Sequence, residues 1–371
     1  LNHEAKKITK HRATPRVALR VLRGFVVILL FSSFAHAGGH VKGVALAHTT
    51  RGNRGYGSDD CRAELKKIAD LGGTWVSISD FAFMQSVTQP SVRHGRSSEA
   101  DGLRQVIADA HALNLKVLVK PHLWSRDFGG PNAKWHGDIV MKSDADWDEW
   151  FRQYGDYILS QAKLAGDAKA EAFCVGVEYG GTVAQETRWR KLIADVRGVY
   201  GGKITYAASF AEWKTVPWWD AVDCIGIDAY FPVATSQKAS DDELRLGWAK
   251  VYAELEPFVR ASGKQVCFTE LGYSASADAG KQPWAYGVVD EDPEYQARLY
   301  KIALDEASKR DWVVGAFVWK WFTSDISGGR RRDPFAMQDR EPVLKVLKDA
   351  WSENRGLRVP PERSGGTPKP R

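Results

Sequence analysis

The segment Glu171-Ala172-Phe173-Cys174-Val175-Gly176-Val177-Glu178 is apolar between two acids and closes on the second of them. Its length and unbroken apolar interior fit a strand buried on both faces, as in parallel sheets. Helical periodicity follows at 187–200, and a second short apolar run lies at 203–210. Working outward from this strand–helix–strand unit, the same alternation extends both ways. Apolar runs occupy 41–48, 74–83, 115–124, 223–231, 265–273 and 313–321. Amphipathic stretches occupy 60–71, 100–113, 147–165, 241–261, 293–309 and 341–351. The fifth connection is the weak one: 212–221 holds Pro217 and the pair Trp218-Trp219, leaving room for only a turn of helix.

Eight strands separated by helices imply an α/β protein with a parallel sheet, and the count favours a single-domain (β/α)8 TIM barrel. A doubly wound open sheet is the alternative. No glycine-rich dinucleotide fingerprint or phosphate loop follows any strand, so a nucleotide reading finds no support.

The chain has 371 residues, 44% of them hydrophobic, which is enough to bury a core of that size. Its 15 Trp are many, a trait of proteins that stack sugars or bases on indole faces. The net charge of +6 is local to the amino-terminal stretch. Residues 1–37 hold seven of the 52 basic residues and one of the 46 acidic ones, leaving 45 of each sign in the body. No nucleic-acid footprint remains there. The basic stretch runs into an apolar segment at 24–34 and then Ala35-His36-Ala37 before Gly38, a secretory signal with its cleavage site. The expected organisation is therefore a signal peptide at 1–37, a barrel at 38–355 and a disordered tail at 356–371, rich in Pro, Gly and Arg. The mature protein is expected to be secreted or periplasmic, monomeric and free of the membrane. Cys61, Cys174, Cys224 and Cys267 form no C-x-x-C pair and are expected to be buried thiols.

Active sites of such barrels lie at the carboxyl ends of the strands. Strand four ends on Glu178, and strand seven ends Phe268-Thr269-Glu270-Leu271-Gly272-Tyr273. An unpaired carboxylate at the end of an apolar strand costs several kcal/mol, so two of them call for a purpose. Two carboxyl groups across one mouth are what glycoside hydrolysis requires, one to protonate the leaving oxygen and one to attack the anomeric carbon. The alternative is a pair of Glu salt-bridged to barrel Lys or Arg. No H-E-x-x-H occurs and the His are scattered, so a metal site finds little support. Two carboxylates and water need no cofactor.

Lys120-Pro121-His122, Trp135-His136-Gly137-Asp138-Ile139, Gly176-Val177-Glu178, Ile225-Gly226-Ile227-Asp228-Ala229-Tyr230-Phe231-Pro232 and Phe268-Thr269-Glu270-Leu271-Gly272-Tyr273 occur in this order. Together they resemble glycoside hydrolase family 113, over about residues 41–350. The resemblance implies endo-β-1,4-mannanase activity by a retaining mechanism, with Glu178 as acid/base and Glu270 as nucleophile. The related clan often carries Asn before the acid/base, to hold the sugar 2-hydroxyl. Here that residue is Val177, so another group holds the hydroxyl or the contact is absent.

Strand parity supplies further candidates. Lys120, His122 and Trp124 share one face of strand three. Lys120 and His122 can donate to sugar hydroxyls, and the alternative for Lys120 is to neutralise a barrel carboxylate. Asp228 and Tyr230 share a face of strand six, where Tyr230 can hold the nucleophile. Trp319 and Trp321 share a face at the end of strand eight, and in the clan a Trp there floors the central subsite. Trp135, in the loop after strand three, is a platform for a neighbouring subsite or an anchor on the barrel rim. Trp218 and Trp219 read as packing. The expected substrate is a β-linked polysaccharide, mannan or glucomannan first, with glucan, galactan or an amino-sugar polymer as alternatives. A barrel that binds glycan without cleaving it is the rival of another class, although binding alone needs neither strand-end Glu.

Overall fold

The eight expected strands close into a parallel barrel. In chain order the elements are β1 (Val41–Ala47), α1 (Asp59–Asp70), β2 (Trp75–Ile78), β3 (Phe81–Met84), β4 (Val92–His94), α2 (Ser97–Ala112), β5 (Lys116–Val119) and β6 (His122–Ser125). They continue with α3 (Asp144–Asp167), β7 (Ala172–Val177), α4 (Glu186–Val199), β8 (Lys203–Ser209), β9 (Cys224–Asp228), α5 (Asp241–Ser262), β10 (Val266–Gly272), α6 (Pro293–Ser308), β11 (Val313–Phe322) and α7 (Glu341–Ser352). The computed structural model describes residues 40–49, 54–94, 97–287, 290–324 and 333–352, without the side chains of 97–99. The expected signal peptide and the tail from 356 lie outside the described residues.

Around the barrel the order is β1-β2-β5-β7-β8-β9-β10, closed by β11 against β1. β7 is buried along its whole length, as its sequence requires with the barrel interior on one face and helices on the other. The helices begin where their sequences say they should. Ser143 caps α3 by accepting from the Asp146 amide, and Ser240 caps α5 by accepting from that of Glu243. Asp292 does the same for α6 ahead of Pro293, and Gly263, at φ 65°, ends α5 in the left-handed region. All four Cys are free and buried, as expected. The fifth connection is two short 3-10 turns, Trp213–Thr215 and Trp219–Ala221, with Trp218 and Trp219 packed into the core. No helix among the described residues is long and apolar enough to cross a membrane.

Two expected strands break in the middle. Runs 74–83 and 115–124 leave the barrel wall after Ile78 and Val119, and their distal halves, β3 and β6, pair with each other and with β4 in a separate three-stranded sheet. Pro121, which has no N–H to give to a ladder, sits at the break in the second run. The other correction concerns strand eight. Ala45 of β1 pairs with Trp319 and Leu46 with Trp321, so Lys320 is an inserted residue and the two-residue alternation fails there. Trp321 is therefore not at the mouth beside Trp319. It is buried, and its indole N–H donates to Glu64 of α1 at 2.7 Å.

Glu64 is itself buried, and its other carboxylate oxygen accepts from Lys67. Trp321→Phe is expected to leave half of that carboxylate unsatisfied and to lower the unfolding free energy by about 1–3 kcal/mol in urea denaturation. An unchanged midpoint would show that the indole serves some other purpose.

Candidate active site

Lys120 follows β5 directly and points into the barrel mouth, where it is almost wholly buried. Its ammonium donates to both oxygens of Asp228, at 2.9 and 3.0 Å, and to Oε1 of Glu270 at 2.6 Å. An ammonium has three N–H bonds, so none is left for a sugar. The charge-pairing role therefore replaces the expected one of donor to hydroxyls. Burial alone would lower the Lys120 pKa, but the Asp228 and Glu270 carboxylates more than offset it and hold the group protonated. Asp228, ending β9, also accepts from the Thr269 hydroxyl at 2.7 Å. Burial and the Glu270 charge push its carboxyl up, against the pull of Lys120.

Glu270 has both oxygens engaged: Oε1 by Lys120, and Oε2 by the Tyr230 hydroxyl at 2.7 Å. Tyr230 is buried, as its expected role requires. Gly272 makes room for it, because a Cβ there would lie 2.6 Å from the Tyr230 ring.

Glu178 stands one residue past β7 in a different setting. Its backbone lies in the left-handed region at φ 57°, uncommon for a residue with a side chain and a feature that concentrates at functional sites. Two contacts brace it. The Glu178 amide donates to the Ala207 carbonyl at 2.7 Å, and the next amide, of Tyr179, donates to the Tyr206 hydroxyl at 2.8 Å. Tyr206 in turn donates its hydroxyl hydrogen to the buried Glu212 at 2.8 Å. The Glu178 side chain is 18% exposed, and among the described residues no donor reaches its carboxylate. Burial and the charges of Asp228 and Glu270 raise its pKa well above the usual range. The nearest basic group adds no positive charge. His136 donates through Nε2 to the Leu123 carbonyl at 3.0 Å, so Nδ1 presents a lone pair to Glu178 Oε2 at 4.0 Å. Burial lowers the His136 pKa to about 4, keeping the ring neutral.

His122 is buried at the start of β6, and its Nε2 has no hydrogen-bond partner among the described residues. Trp319 is half-buried, close to Gly272, with the Lys320 ammonium over its ring at 5.1 Å. Trp135 is exposed on the loop before α3, its ring against Gly137. Sequence reasoning assigned no roles to His136, Thr269, Tyr206 or Glu212, although His136 stood in a quoted motif and Thr269 adjoins the nucleophile candidate. It also missed Trp284, stacked on Phe210 at 5.2 Å, and Tyr286, which accepts from Lys320 at 3.3 Å. The only signal for those two was the presence of large aromatics in a Gly- and Pro-containing loop.

The model of Glycoside Hydrolase Family 113 matches residues 46–338, most of the chain. The chain belongs to glycoside hydrolase family 113. A solved GH113 β-mannanase from Alicyclobacillus acidocaldarius, in complex with ManMIm, is 26% identical with a TM-score of 0.75, over 86% of this chain and 99% of that one. Another GH113 β-1,4-mannanase is 25% identical with a TM-score of 0.74, over 84% and 99%. An endo-β-1,4-mannanase from Thermotoga petrophila, 14% identical with a TM-score of 0.57 over 86% and 78%, shares the fold alone. No curated protein matches the chain.

In this family 113 enzyme the substrate is a carbohydrate, and two Glu in unlike settings face the mouth. Glu270 accepts from an ammonium and a phenol, while Glu178 sits among negative charges and a lone pair that favour its protonated form. Tyr230→Phe removes one of the two groups that fix Glu270. Glycosidase kcat is expected to fall about 10- to 100-fold, the loss of a charge-assisted hydrogen bond of about 1.5–3 kcal/mol, with an unchanged melting curve. A variant as active as the wild type would remove Tyr230 from the positioning of Glu270.

Proposed function

We propose that this family 113 enzyme is a retaining endo-β-mannanase that works by double displacement. The contrast between its two acids carries the mechanism. A Glu270 held at both oxygens by donors suits a nucleophile, and a Glu178 whose surroundings retain its proton suits the general acid. In the first step a Glu270 oxygen bonds to the anomeric carbon as Glu178 gives its proton to the glycosidic oxygen, and the bond to the leaving sugar breaks. The resulting glycosyl ester on Glu270 is then opened by water, whose proton goes to the Glu178 carboxylate. Both acids end as they began. Lys120 donates to a Glu270 oxygen and orients it for the attack. The mannan assignment rests on the GH113 relatives, which are β-mannanases by name. Val177 bears on the same question, because an apolar residue stands before the acid and the sugar 2-hydroxyl needs another partner.

Glu178 must carry its proton and Glu270 must not. With the Glu178 pKa raised, activity should persist above the usual carboxylate range and fall as pH rises through that raised value. Glu178→Ala should slow substrates with poor leaving groups about 10²- to 10⁴-fold while sparing a dinitrophenyl glycoside, which leaves without a proton. Azide should then accelerate turnover and yield a glycosyl azide of retained configuration. Rescue of Glu270→Ala with inverted product, and none of Glu178→Ala, would exchange the two roles. Products from mannan, glucomannan, cellulose and xylan, analysed by mass and linkage, test the sugar. Mannan-derived oligosaccharides are expected, and cleavage of xylan or cellulose alone would overturn the choice.

We further propose that the protein is exported and that residues 1–37 are removed. Amino-terminal sequencing of the mature protein should begin near Gly38; a retained leader would contradict it.

A further inference from the structure

The small sheet of β3, β4 and β6 has two unlike faces. Ala82, Met84, Val92, Leu123 and Ser125 are buried beneath it. On the other face the register places Phe83 between Arg93 of β4 and Trp124 of β6, in one row across three strands. Phe83 is 51% exposed, Trp124 49%, and Arg93 is exposed beside them. Phe128 packs edge-on against the Trp124 ring at 5.6 Å and holds it in place. Two large aromatics side by side in water cost free energy, and on a soluble protein such a patch marks a binding surface.

The patch is continuous with the catalytic mouth. Side chains alternate along a strand, so the same face carries the preceding pair, Phe81 and His122, with rings 5.4 Å apart. His122 lies two residues from Lys120, and its buried Nε2 lacks a partner among the described residues. One surface thus leads from the Lys120–Glu270 pair, past an open imidazole nitrogen, to Phe83 and Trp124. Trp124 lies four residues on from Lys120, a span of up to about 13 Å.

We propose that Phe83, Trp124 and Arg93 form a distal platform for a neutral β-linked polysaccharide whose scissile bond lies at Glu178 and Glu270. The platform rests on the glycan-hydrolase reading of the mouth and adds to it a chain long enough to reach outward. A pyranose ring lays its C–H face on the indole or phenyl plane, burying apolar area, while the guanidinium donates to hydroxyls at the ring edge. Such a surface favours attack within a chain over trimming of short ends.

The test uses Phe83→Ala/Trp124→Ala, with Trp124→Phe as a variant that keeps an aromatic face. Retardation in native gels containing mannan, glucomannan, cellulose derivative or xylan is measured in a Glu270→Ala background, where nothing is cleaved. The platform predicts that at least one polymer retards the parent, that the double variant loses most of this, and that Trp124→Phe keeps much of it. In the active background, the ratio of kcat/KM on polymer to that on an aryl oligosaccharide should fall about tenfold, through KM. Equal retardation of parent and double variant, or none of the parent on any polymer, overturns the platform. So does a dimer in light scattering that the double variant converts to monomer, since the face would then belong to a second copy. Retention lost on glucan or xylan without any cleavage of mannan would uphold the platform and overturn the mannan reading; mannan cleavage with an unchanged ratio would do the reverse.

Discussion

A single buried ammonium governs the mouth of this barrel. Lys120 lies among Asp228, Glu270 and Glu178, and its three N–H bonds go to the first two of these acids. Three carboxyl groups cannot all ionise at close range around one positive charge. The ammonium bonds the two it touches, while burial and the charges of Asp228 and Glu270 raise the pKa of Glu178, which it does not touch. The proposed division of labour between the two Glu rests on where that one side chain ends. Removing that side chain would leave two carboxylates buried and unpaired, a loss of about 3–5 kcal/mol for a broken buried pair.

The rest of the architecture serves that placement. β5 delivers Lys120, β9 delivers Asp228, and β10 delivers Thr269 and Glu270, each at the carboxyl end of a neighbouring or facing strand. Glu178 is set by a different device. Its left-handed backbone is tied down by the Ala207 carbonyl and, one residue on, by the Tyr206 hydroxyl backed by Glu212. Gly180 allows this, because a Cβ there would sit 2.6 Å from a Glu212 oxygen.

Much of this was legible in the sequence. Buried parallel strands advertise themselves as apolar runs: six of the eight barrel strands and the seven helices of the described residues lie within a few residues of where periodicity puts them, and the other two strands begin in place but end early. The two strand-end Glu were legible for the same reason: each interrupts a run that burial should have kept apolar. What escaped depended on contacts distant in sequence. Periodicity does not reveal that β3 turns aside to pair with β4 and β6, nor that Lys320 is inserted and sends Trp321 behind the barrel wall. Lys120 was visible as a candidate, but its choice between sugar and carboxylates depends on Asp228, 108 residues away. Glu212 lay in the connection with the weakest pattern, and its partner Tyr206 looked like one more buried aromatic.

Glu270, held by Lys120 and Tyr230, is the proposed nucleophile of the covalent step. It is tested most directly by trapping. A 2-deoxy-2-fluoro β-mannosyl fluoride slows both steps by destabilising their cationic transition states, and its activated leaving group still allows the first. After proteolysis, mass spectrometry should find one fluoromannosyl group, on the peptide bearing Glu270. The label on the peptide bearing Glu178 would contradict the assignment of roles, and inverted product with no label at all would contradict double displacement.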